Sequence, residues 1–483
     1  MSQAETATSH SPEEPGRRSV PVTGVSIPRG KSYYTRELFR LFRTHVPEGA
    51  SVLEIGLRQR GDLLASLKPG RGVGLDADAS VIEAARAGHP GLTFIHARAE
   101  EADLGGETFD FILLSTGLAQ VTDVQAVLER VRRACRPDTR VIVAYHNALW
   151  EPILRLATAL GLRRQTGAQN WLSMQDLLNL AYLADMEVIR KSGEVLLPMP
   201  VPFLAAFLNH FLVRFWPWHH FGLIHLLIAK PRGPVPELQK SAKVSVIIPT
   251  RNERGNIEGA VTRTPELGIG GGGTEIIFVD GNSTDGTQEE IQKWIRARPD
   301  RDMKLILQGS GKGKGDAVRK GFAAATGDIL MILDADLTVA PEVLPRFVDA
   351  IVSGKGELIN GTRLVYPMDQ QAMRFLNKLG NRFFSMLFTW LLNQPIRDTL
   401  CGTKVLSRKH YDIIAKNRAY FGDFDPFGDF DLLLGACKAN LKICEIPVHY
   451  GARTYGTTNI SRFRDGALLL KMSWFAFRRL KIR

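Results

Sequence analysis

Short apolar runs alternate with amphipathic helical stretches along most of this chain, and the alternation starts twice. Alternation of this kind is typical of a sheet of parallel strands with helices packed on both faces. The pattern therefore predicts an α/β protein with two doubly wound domains. In the first half, strands are predicted at residues 51–55, 72–75, 93–96, 109–114, 141–145, 188–196 and 223–229, with helices such as 80–87 and 124–134. In the second half, strands are predicted at residues 244–248, 275–279, 304–307, 329–333 and 357–360.

Shifts in composition mark the boundaries between segments. Three prolines fall within residues 231–236, which is typical of a stiff, extended spacer. The N-terminal residues are polar and proline-rich with few large apolar side chains, which predicts disorder there. We therefore divide the chain into a disordered segment (1–30), a first domain (31–232), a linker (233–243), a second domain (244–461) and a basic amphipathic C-terminal segment (462–483).

The most apolar stretch, residues 195–229, is interrupted by prolines, histidines and an arginine. A membrane-spanning helix needs ~20 unbroken apolar residues. This stretch is therefore predicted to form a helix followed by a buried strand.

Charge narrows the possible partners. The chain has a net charge of +12, which suits nucleic acid, nucleotide phosphates or an anionic membrane. It holds no zinc-finger spacing and no RNA-binding motif, so we expect no nucleic acid partner. The four cysteines form no CxxC pair, which indicates neither a zinc site nor a disulfide framework. We expect reduced thiols and a cytoplasmic location.

Polar segments follow three predicted strands of the second domain, at residues 249–253, 280–287 and 334–338. In an open parallel sheet, ligands bind at the carboxyl ends of the strands. Asp334 and Asp336 end an apolar strand, where two carboxylates would be costly without a cation. Mg²⁺ or Mn²⁺ takes one or two protein carboxylates and shares its other positions with phosphate oxygens. The alternative is a strand-end turn with solvated aspartates.

Two further segments bear on a nucleotide ligand. Asp280 ends the second strand, where a carboxylate can bind ribose or base, although residues 282–287 could be only a helix-capping loop. Residues 311–321 combine glycines, a helix start and Lys312 and Lys314, a combination that suits a diphosphate. A solvated basic loop is the alternative there.

Together these segments resemble glycosyltransferase family 2, a family of nucleotide-sugar transferases with the GT-A fold, and most closely its dolichyl- or polyprenyl-phosphate mannosyltransferase-like branch. Each piece alone is weak, but the set appears in family order over nearly all of residues 244–461. The matching pieces are PTRNE (249–253), VDGNSTDGT (279–287), GKGKGDAVRKGF (311–322), LDADLT (333–338), GTR (361–363), DTLCGTK (398–404) and EIPVHYGARTYGTTNIS (445–461).

The resemblance implies roles for individual residues. Two positions depart from it: Gly281, where the family commonly has a second Asp, and Thr338, where a Gln can assist the metal. The implied assignments are Pro249, Asn252, Glu253 and Asp280 on the nucleotide, Asp334 and Asp336 on the metal, Arg363 and Arg453 near phosphates, and Arg374 toward the acceptor.

The nature of the acceptor decides whether a base is needed. A lipid phosphate is already an anion at neutral pH, whereas a hydroxyl acceptor requires a general base. Four carboxylates fall within residues 421–431, and Asp429 and Asp431 are the candidate bases. They could instead be acids that stabilise the first turn of a helix over residues 432–439.

Residues 374–390 are apolar with basic interruptions. The C-terminal segment is apolar in the middle and basic at both ends. Its apolar centre is too short to span a bilayer, but it could lie in the interface with Trp474, Phe475 and Phe477 buried in lipid. We expect a peripheral protein at the inner face of the membrane. The alternative is a helix packed on the sheet.

The first domain resembles the class I S-adenosylmethionine-dependent methyltransferases. The likeness rests on residues 52–56, 72–76 and 109–115, and it implies that Glu54, Gly56 and Asp76 bind the cofactor. The glycine-rich loop of that family is degraded here, because Arg58 and Arg60 stand where glycines let the backbone approach the cofactor. We therefore expect a degenerate, Rossmann-like domain at least as readily as a working methyltransferase.

These observations favour a metal-dependent transferase that moves a hexose from a nucleotide sugar to a polyprenyl-phosphate-type acceptor at the membrane surface. Three alternatives remain: transfer to a glycan hydroxyl with Asp429 or Asp431 as base, a bifunctional methyltransferase and glycosyltransferase, and a membrane-surface scaffold with a retired first domain.

Overall fold

The chain forms two seven-stranded sheets, one from each predicted domain. The computed structural model describes residues 32–115, 118, 121–161, 170–311, 313–366, 375–418, 428–451, 453, 455–456 and 462–481. The segment predicted to be disordered, residues 1–30, lies outside the described residues. Both domains are α/β, as the alternation of apolar runs predicted.

The first sheet has the strand order β3-β2-β1-β4-β5-β7-β6. Strands β1 to β5 are parallel, but β7 runs antiparallel to both of its neighbours, so the sheet is mixed rather than parallel as predicted. Apolar periodicity reports which residues are buried and carries no information on strand direction. The strands are β1 (Ser51–Ile55), β2 (Arg71–Asp76), β3 (Thr93–His96), β4 (Phe109–Leu114), β5 (Cys135–His146), β6 (Met186–Glu194) and β7 (Ile224–Pro231).

Helices cover both faces of this sheet. Helices α1 and α3 pack on one face, and α4 and α6 pack on the other, and each face buries its own apolar cluster. The helices are α1 (Tyr33–Arg43), α2 (Asp62–Ser66), α3 (Ala79–Gly88), α4 (Val124–Arg133), α5 (Glu151–Ala159), α6 (Met174–Leu183) and the short α7 (Leu204–Ala206).

The second sheet has the order β10-β9-β8-β11-β13-β12-β14. It too is mixed, because β13 runs antiparallel between β11 and β12. Two of its strands, β13 and β14, were not predicted. The strands are β8 (Val244–Thr250), β9 (Thr274–Asp280), β10 (Asp302–Leu307), β11 (Ile329–Ile332), β12 (Leu358–Thr362), β13 (Lys404–Ser407) and β14 (Ile443–Pro447).

Helices again cover both faces of the second sheet. One apolar cluster includes side chains of α11 and α13 to α16, and the other includes side chains of α9, α10 and α12. The helices are α8 (Pro236–Lys240), α9 (Ile257–Arg263), α10 (Thr287–Ala297), α11 (Gly313–Ala324), α12 (Leu344–Val352), α13 (Phe375–Leu392), α14 (Arg408–Lys416), α15 (Asp429–Lys438) and α16 (Arg462–Leu480). Helix α8 lies in the linker, which is therefore not extended throughout.

The apolar stretch at residues 195–229 differs in part from the prediction. Its C-terminal part forms the buried strand β7, as predicted. Its N-terminal part is not one helix but a series of short helical turns between residues 204 and 221, and many of its large apolar side chains are exposed. Prolines at 198, 200, 202 and 217 leave no room for a long regular helix here.

The C-terminal segment forms α16, which packs against α13. Leu469, Met472 and Ala476 are buried in this contact, whereas Leu470 and Trp474 are more than half exposed. The helix thus packs on its domain and also presents an apolar strip outward. No helix within the described residues is long and apolar enough to cross a membrane.

A buried ion pair joins the two domains. Arg140, at the middle of β5, donates from Nη2 to Oε1 and Oε2 of Glu357 at 2.7 and 2.8 Å. Its Nε donates to the carbonyl oxygen of Asn440 at 2.8 Å, and Lys230 of β7 donates to the carbonyl of Gly354. Strands β5 and β7 of the first sheet therefore contact the start of β12 and the end of α15.

Candidate nucleotide and metal site

Three parallel strands bring the predicted polar segments together. β8 lies between β9 and β11, and the pairing places Thr250 opposite Asp280. The segments that follow β8, β9 and β11 therefore emerge at the same edge of the sheet, where the ligands of open α/β sheets bind.

The two aspartates predicted to bind a metal each contact a cation. Asp334 Oδ1 lies 2.5 Å from Nζ of Lys314, in the first turn of α11, and Asp336 Oδ2 accepts from Nη2 of Arg453 at 2.7 Å. Burial would raise the pKa of Asp334, but Lys314 and other nearby cations lower it below its ordinary value. Both carboxylates are therefore held close to cations, and Asp334 is held in its charged form.

The surroundings of Asp334 are tightly packed. Gly402 lies so close that a Cβ there would stand 2.0 Å from Oδ2 of Asp334 and 2.5 Å from Nζ of Lys314. No group of three or more His, Cys, Asp or Glu side chains that could hold a metal occurs within the described residues. Two carboxylates suit Mg²⁺ or Mn²⁺, which complete their coordination with phosphate oxygens and water.

Asp280 is the most buried carboxylate of the site, with no exposed surface. Its Oδ2 accepts from the amide of Ser283 at 3.0 Å and from Nε2 of Gln288 at 2.7 Å, but its Oδ1 has no hydrogen-bond partner. A buried acceptor without a partner is costly, and a donor from a ligand would satisfy it.

The segment after β8 contacts the segments after β9 and β11. Asn252 has a positive φ of 58°, and its Oδ1 accepts from the amide of Thr284 at 2.8 Å. Oε1 of Glu253 accepts a hydrogen bond from Nη1 of Arg453 at 3.3 Å. Burial raises the pKa of Glu253, and the neighbouring carboxylate of Asp336 adds to that effect. Arg453 thus bridges Glu253 and Asp336. Pro249 directly precedes Thr250 on β8 and is paired with Val279 of β9.

Arg363 forms a buried bidentate pair with Asp398. Its Nε and Nη2 donate to Oδ2 and Oδ1 at 2.7 and 2.8 Å, and Asn381 of α13 also donates to Oδ1. Burial would raise the pKa of Asp398, but Arg363 lowers it. Sequence reasoning assigned no role to Asp398, although it opens the DTLCGTK piece. It fixes the end of β12 to α13.

The two departures from the family pattern have local explanations. A Cβ at Gly281 would lie 3.0 Å from Oε1 of Gln308, whose side chain fills the space that a second Asp would need. Thr338 donates its hydroxyl to Oδ1 of Asp336 at 2.8 Å and so orients that carboxylate.

The predicted acceptor-side residues are only partly described. Asp431 is buried and accepts from Nε of Arg418 at 2.9 Å. Asp429 begins α15, and the preceding Gly428 lies against Gly315, one residue from Lys314. The start of α15 is therefore close to the metal-side residues, whereas Asp431 belongs to a separate ion pair. Lys312, Arg374 and residues 421–427 lie outside the described residues.

The first-domain site is filled by its own loop. Oδ2 and Oδ1 of Asp76 accept the amides of Leu57 and Asp78 at 2.8 and 2.9 Å. Leu57 is buried in the core, and Glu54 Oε1 accepts from the hydroxyl of Ser115, which also contacts the carbonyl of Gly56. Each oxygen of Asp76 therefore already accepts an amide of its own loop, and a ribose hydroxyl would have to share these acceptors. With Arg58 and Arg60 in place of the family's glycines, this arrangement favours a degenerate cofactor site, and no methyl-transfer step is assigned to it.

Strand order and site together define the class of each half. The first sheet has the order and the single antiparallel strand of a class I methyltransferase fold, and the second places an aspartate pair at the nucleotide edge of a GT-A-like fold. Comparison with family models agrees. Residues 245–413 match the model "Glycosyl transferase family 2", and residues 29–191 match "Methyltransferase domain". The chain thus carries a glycosyltransferase family 2 domain after a methyltransferase-like domain.

Curated relatives cover the second half. A dolichol-phosphate mannosyltransferase from Pyrococcus furiosus is 32% identical over 45% of this chain and 59% of its own length. The glycosyltransferases AglD and AglJ from Haloferax volcanii are each 28% identical, over 50% and 47% of this chain and 39% and 69% of their own lengths. The chain therefore spans only part of each relative.

Solved structures resemble each half in fold. Glucosyl-3-phosphoglycerate synthase from Mycobacterium tuberculosis, solved with Mn²⁺ and UDP, is 20% identical over 50% of this chain and 81% of its own, with a TM-score of 0.36. A SAM-dependent methyltransferase from Thermotoga maritima is 17% identical over 41% of this chain and 89% of its own, with a TM-score of 0.33.

Proposed function

We propose that the second domain transfers a hexose from a nucleotide-sugar donor to a polyprenyl-phosphate-type lipid acceptor at a membrane surface. One observation carries the proposal: Asp334 and Asp336 lie with Lys314 and Arg453 at the sheet edge that also presents Asp280. Carboxylates for a divalent ion, cations for phosphates and a buried acceptor for a nucleoside are thereby gathered in one place.

The donor nucleoside would bind over the ends of β8 and β9. The free Oδ1 of Asp280 would accept a hydrogen bond from the base or ribose, which removes the cost of an unsatisfied buried oxygen. Asn252 and Glu253 line the neighbouring loop and would contact the same group. A Mg²⁺ or Mn²⁺ ion held by Asp334 and Asp336 would neutralise charge on the departing diphosphate.

Lys314 and Arg453 have a second role in this scheme. Without donor they compensate the two aspartates, at 2.5 and 2.7 Å. If the two aspartates held a divalent ion, Lys314 and Arg453 would turn to diphosphate oxygens as their counter-charge. Lys314 is well placed for this, because the amides of the first turn of α11 also favour an anion.

A phosphate acceptor would suit Arg363, the cation that follows β12. Arg363 is held by Asp398 and is joined through it to α13, a helix with the exposed apolar side chains Phe383 and Met386. Because a lipid phosphate attacks as an anion, the reaction needs no protein base. The dolichol-phosphate mannosyltransferase among the relatives supports an acceptor of this kind.

The test is turnover by purified full-length variants with radiolabelled nucleotide sugars and a polyprenyl phosphate in Mn²⁺. We expect Asp334→Asn and Asp336→Asn each to lower kcat/KM by at least about 10²-fold, the loss typical of removing one electrostatic contact to the transition state. Asp349→Asn, on the exposed side of α12, is the matched control and should behave as wild type. Undiminished turnover by the two site variants would overturn the mechanism.

One observation favours a second candidate, transfer to a hydroxyl group. The start of α15 approaches Lys314, so Asp429 begins its helix beside the site and could serve as a base, which Asp431 is less suited to do because it pairs with Arg418. Asp429→Asn separates the two candidates. It should abolish transfer to an alcohol acceptor and leave transfer to a prenyl phosphate within about threefold, since a general base contributes roughly 10²-fold or more.

A further inference from the structure

The first domain presents an aromatic surface that the proposed function does not use. It is formed by residues 199–221, where Phe203 is 94% exposed and Trp216 is 78% exposed. Phe207, Trp218 and Phe221 are each about half exposed in the same segment. A soluble protein seldom exposes a contiguous apolar patch of this kind, and such patches mark interaction sites.

The segment is held in place by buried polar contacts. Asn209 is buried and uses its side chain to bind the amides of Leu196 and Leu197 and the carbonyl of Leu197, all at 2.7–2.8 Å. Phe203 has a positive φ of 57°, a conformation that costs a non-glycine residue energy. The fold therefore fixes these aromatic side chains outward, at some conformational cost.

The surface continues onto the second domain through a chain of ring contacts. Phe207 stacks on Phe211, which contacts Phe477 of α16 at 6.3 Å between ring centroids, and Phe477 contacts Trp474 at 5.6 Å. Trp390 of α13 packs on the same Phe477. We use "aromatic face" for the exposed rings of this chain together with the other exposed apolar side chains of residues 199–221, α13 and α16, which gives Phe203, Phe207, Phe211, Trp216, Trp218, Phe221, Phe383, Met386, Leu470 and Trp474.

Basic side chains outnumber acidic ones in the segments that form the aromatic face, although Glu37 and Glu194 contact His210 and Arg214 behind it. The three segments that form it, residues 195–236, 370–397 and 466–483, contain no Asp or Glu, although they contain many Lys, Arg and His residues. Behind the face, the buried side chain of Arg214 donates from Nη1 to Oε1 of Glu194 at 2.6 Å, while its Nε and Nη2 have no hydrogen-bond partner. Aromatic residues with basic neighbours and no carboxylates suit the headgroup region of an anionic bilayer, whereas a protein partner would not require the absence of acids.

We propose that the first domain, through residues 199–221, is a membrane-docking module that seats the transferase on an anionic lipid surface. Phe203 and Trp216 enter the interface together with Trp474 of the second domain, so both domains contact one bilayer. The inference rests on the proposed function for its biological sense, because a lipid acceptor must be reached from the membrane. It gives the methyltransferase-like domain a role without methyl transfer.

The geometry connects this face to the active site. Asn381 of α13 donates to Asp398, and Asp398 in turn pairs with Arg363. Phe383 and Met386, on the turns that follow, are about half exposed or more. A lipid phosphate leaving the bilayer at α13 would therefore meet Arg363 within two turns of one helix.

The test is cosedimentation of the full-length protein with vesicles of phosphatidylcholine, with and without 30% phosphatidylglycerol (about a third anionic lipid, as in polybasic-binding assays). We expect binding to the anionic vesicles and a loss of roughly tenfold or more in apparent affinity for the double variant Phe203→Ser/Trp216→Ser, since two large apolar side chains leave the interface. Trp474→Ser should show a smaller loss. Leu183→Ser is the matched control, because Leu183 is an exposed apolar side chain on α6, which packs on the opposite face of the first sheet.

The readouts separate this inference from the proposed function. Binding is measured without donor, and turnover of a short-chain, water-soluble prenyl phosphate should be unchanged in Phe203→Ser/Trp216→Ser. Wild-type affinity of that double variant for anionic vesicles overturns the docking role, as does equal binding to neutral and anionic vesicles. If wild type binds no vesicles but forms a dimer that the double variant loses, the face is a protein interface and the inference is wrong. Thermal unfolding of each variant checks that it is folded.

Discussion

At the scale of single residues, the site is organised by charge compensation. The two aspartates and Lys314 were identified from the sequence because strand-end carboxylates and a glycine-rich basic helix start are local patterns, whereas Arg453 was named only through the family resemblance. Asp398 was not identified, because its importance comes from a pairing with Arg363 across 35 positions of chain, and no pattern around it in sequence indicates that partner.

Gly402 leaves little room beside Asp334, one of the two proposed metal ligands. A Cβ at this position would lie 2.0 Å from Oδ2 of Asp334, so Gly402→Ala must displace the carboxylate or Lys314. We expect the KM for Mn²⁺ to rise by about tenfold, equivalent to roughly 1.4 kcal/mol of lost affinity, with little change in thermal stability. Titration of activity with Mn²⁺ at saturating donor measures it. Gly380→Ala on α13 is the control, because nothing lies within 4 Å of the added Cβ; equal KM values for the two variants would contradict the fit.

At the scale of elements, apolar runs gave the positions of most strands, and β1, β3 and β4 agree with their predicted bounds. Strand direction and the short strands β13 and β14 could not be predicted, since both depend on pairing between distant segments. The segment before β7 shows a further limit. Its apolar residues indicated burial, but they face outward, because apolarity does not distinguish a core from a surface that binds something apolar.

The loop after β1 decides whether the first domain binds its family's cofactor. Leu57 is buried in the core and its amide holds Asp76, while Asp78 holds the other carboxylate oxygen. We expect isothermal calorimetry to show no binding of S-adenosylmethionine up to about 1 mM, a concentration at which even a binding energy of ~4 kcal/mol would be seen. The same protein should bind a nucleoside diphosphate with Mn²⁺, which serves as the positive control. Micromolar binding of S-adenosylmethionine would show that the loop opens and would favour methyl transfer as a function of the first domain.

At the scale of the whole molecule, the sequence predicted two domains but not how they meet. The interface is built around Arg140 and Glu357, which are 217 positions apart, together with Lys230 and His410. Burial would raise the pKa of Glu357, but its neighbours, Arg140 above all, lower it to about 2. Such an interface fixes one orientation of the domains, and the proposed aromatic face requires a fixed orientation because both domains contribute to it.

Glu357→Gln tests this interface. The substitution keeps the shape of the side chain but leaves the Arg140 guanidinium buried without a counter-charge, which typically costs about 3–5 kcal/mol. Because the folded-state pKa of Glu357 is about 2 and its ordinary value is 4.5, its stabilising charge is fully present above pH 4.5 and is lost as the pH falls toward 2. Urea unfolding should therefore show a large gap between wild type and Glu357→Gln at pH 7 that narrows below about pH 4. Lys409→Met breaks the largely exposed interdomain pair with Asp138 and should cost at most about 1 kcal/mol. If the two variants were equally stable at pH 7, the domains would not be held by the buried pair, and vesicle binding would have to be explained for each domain separately.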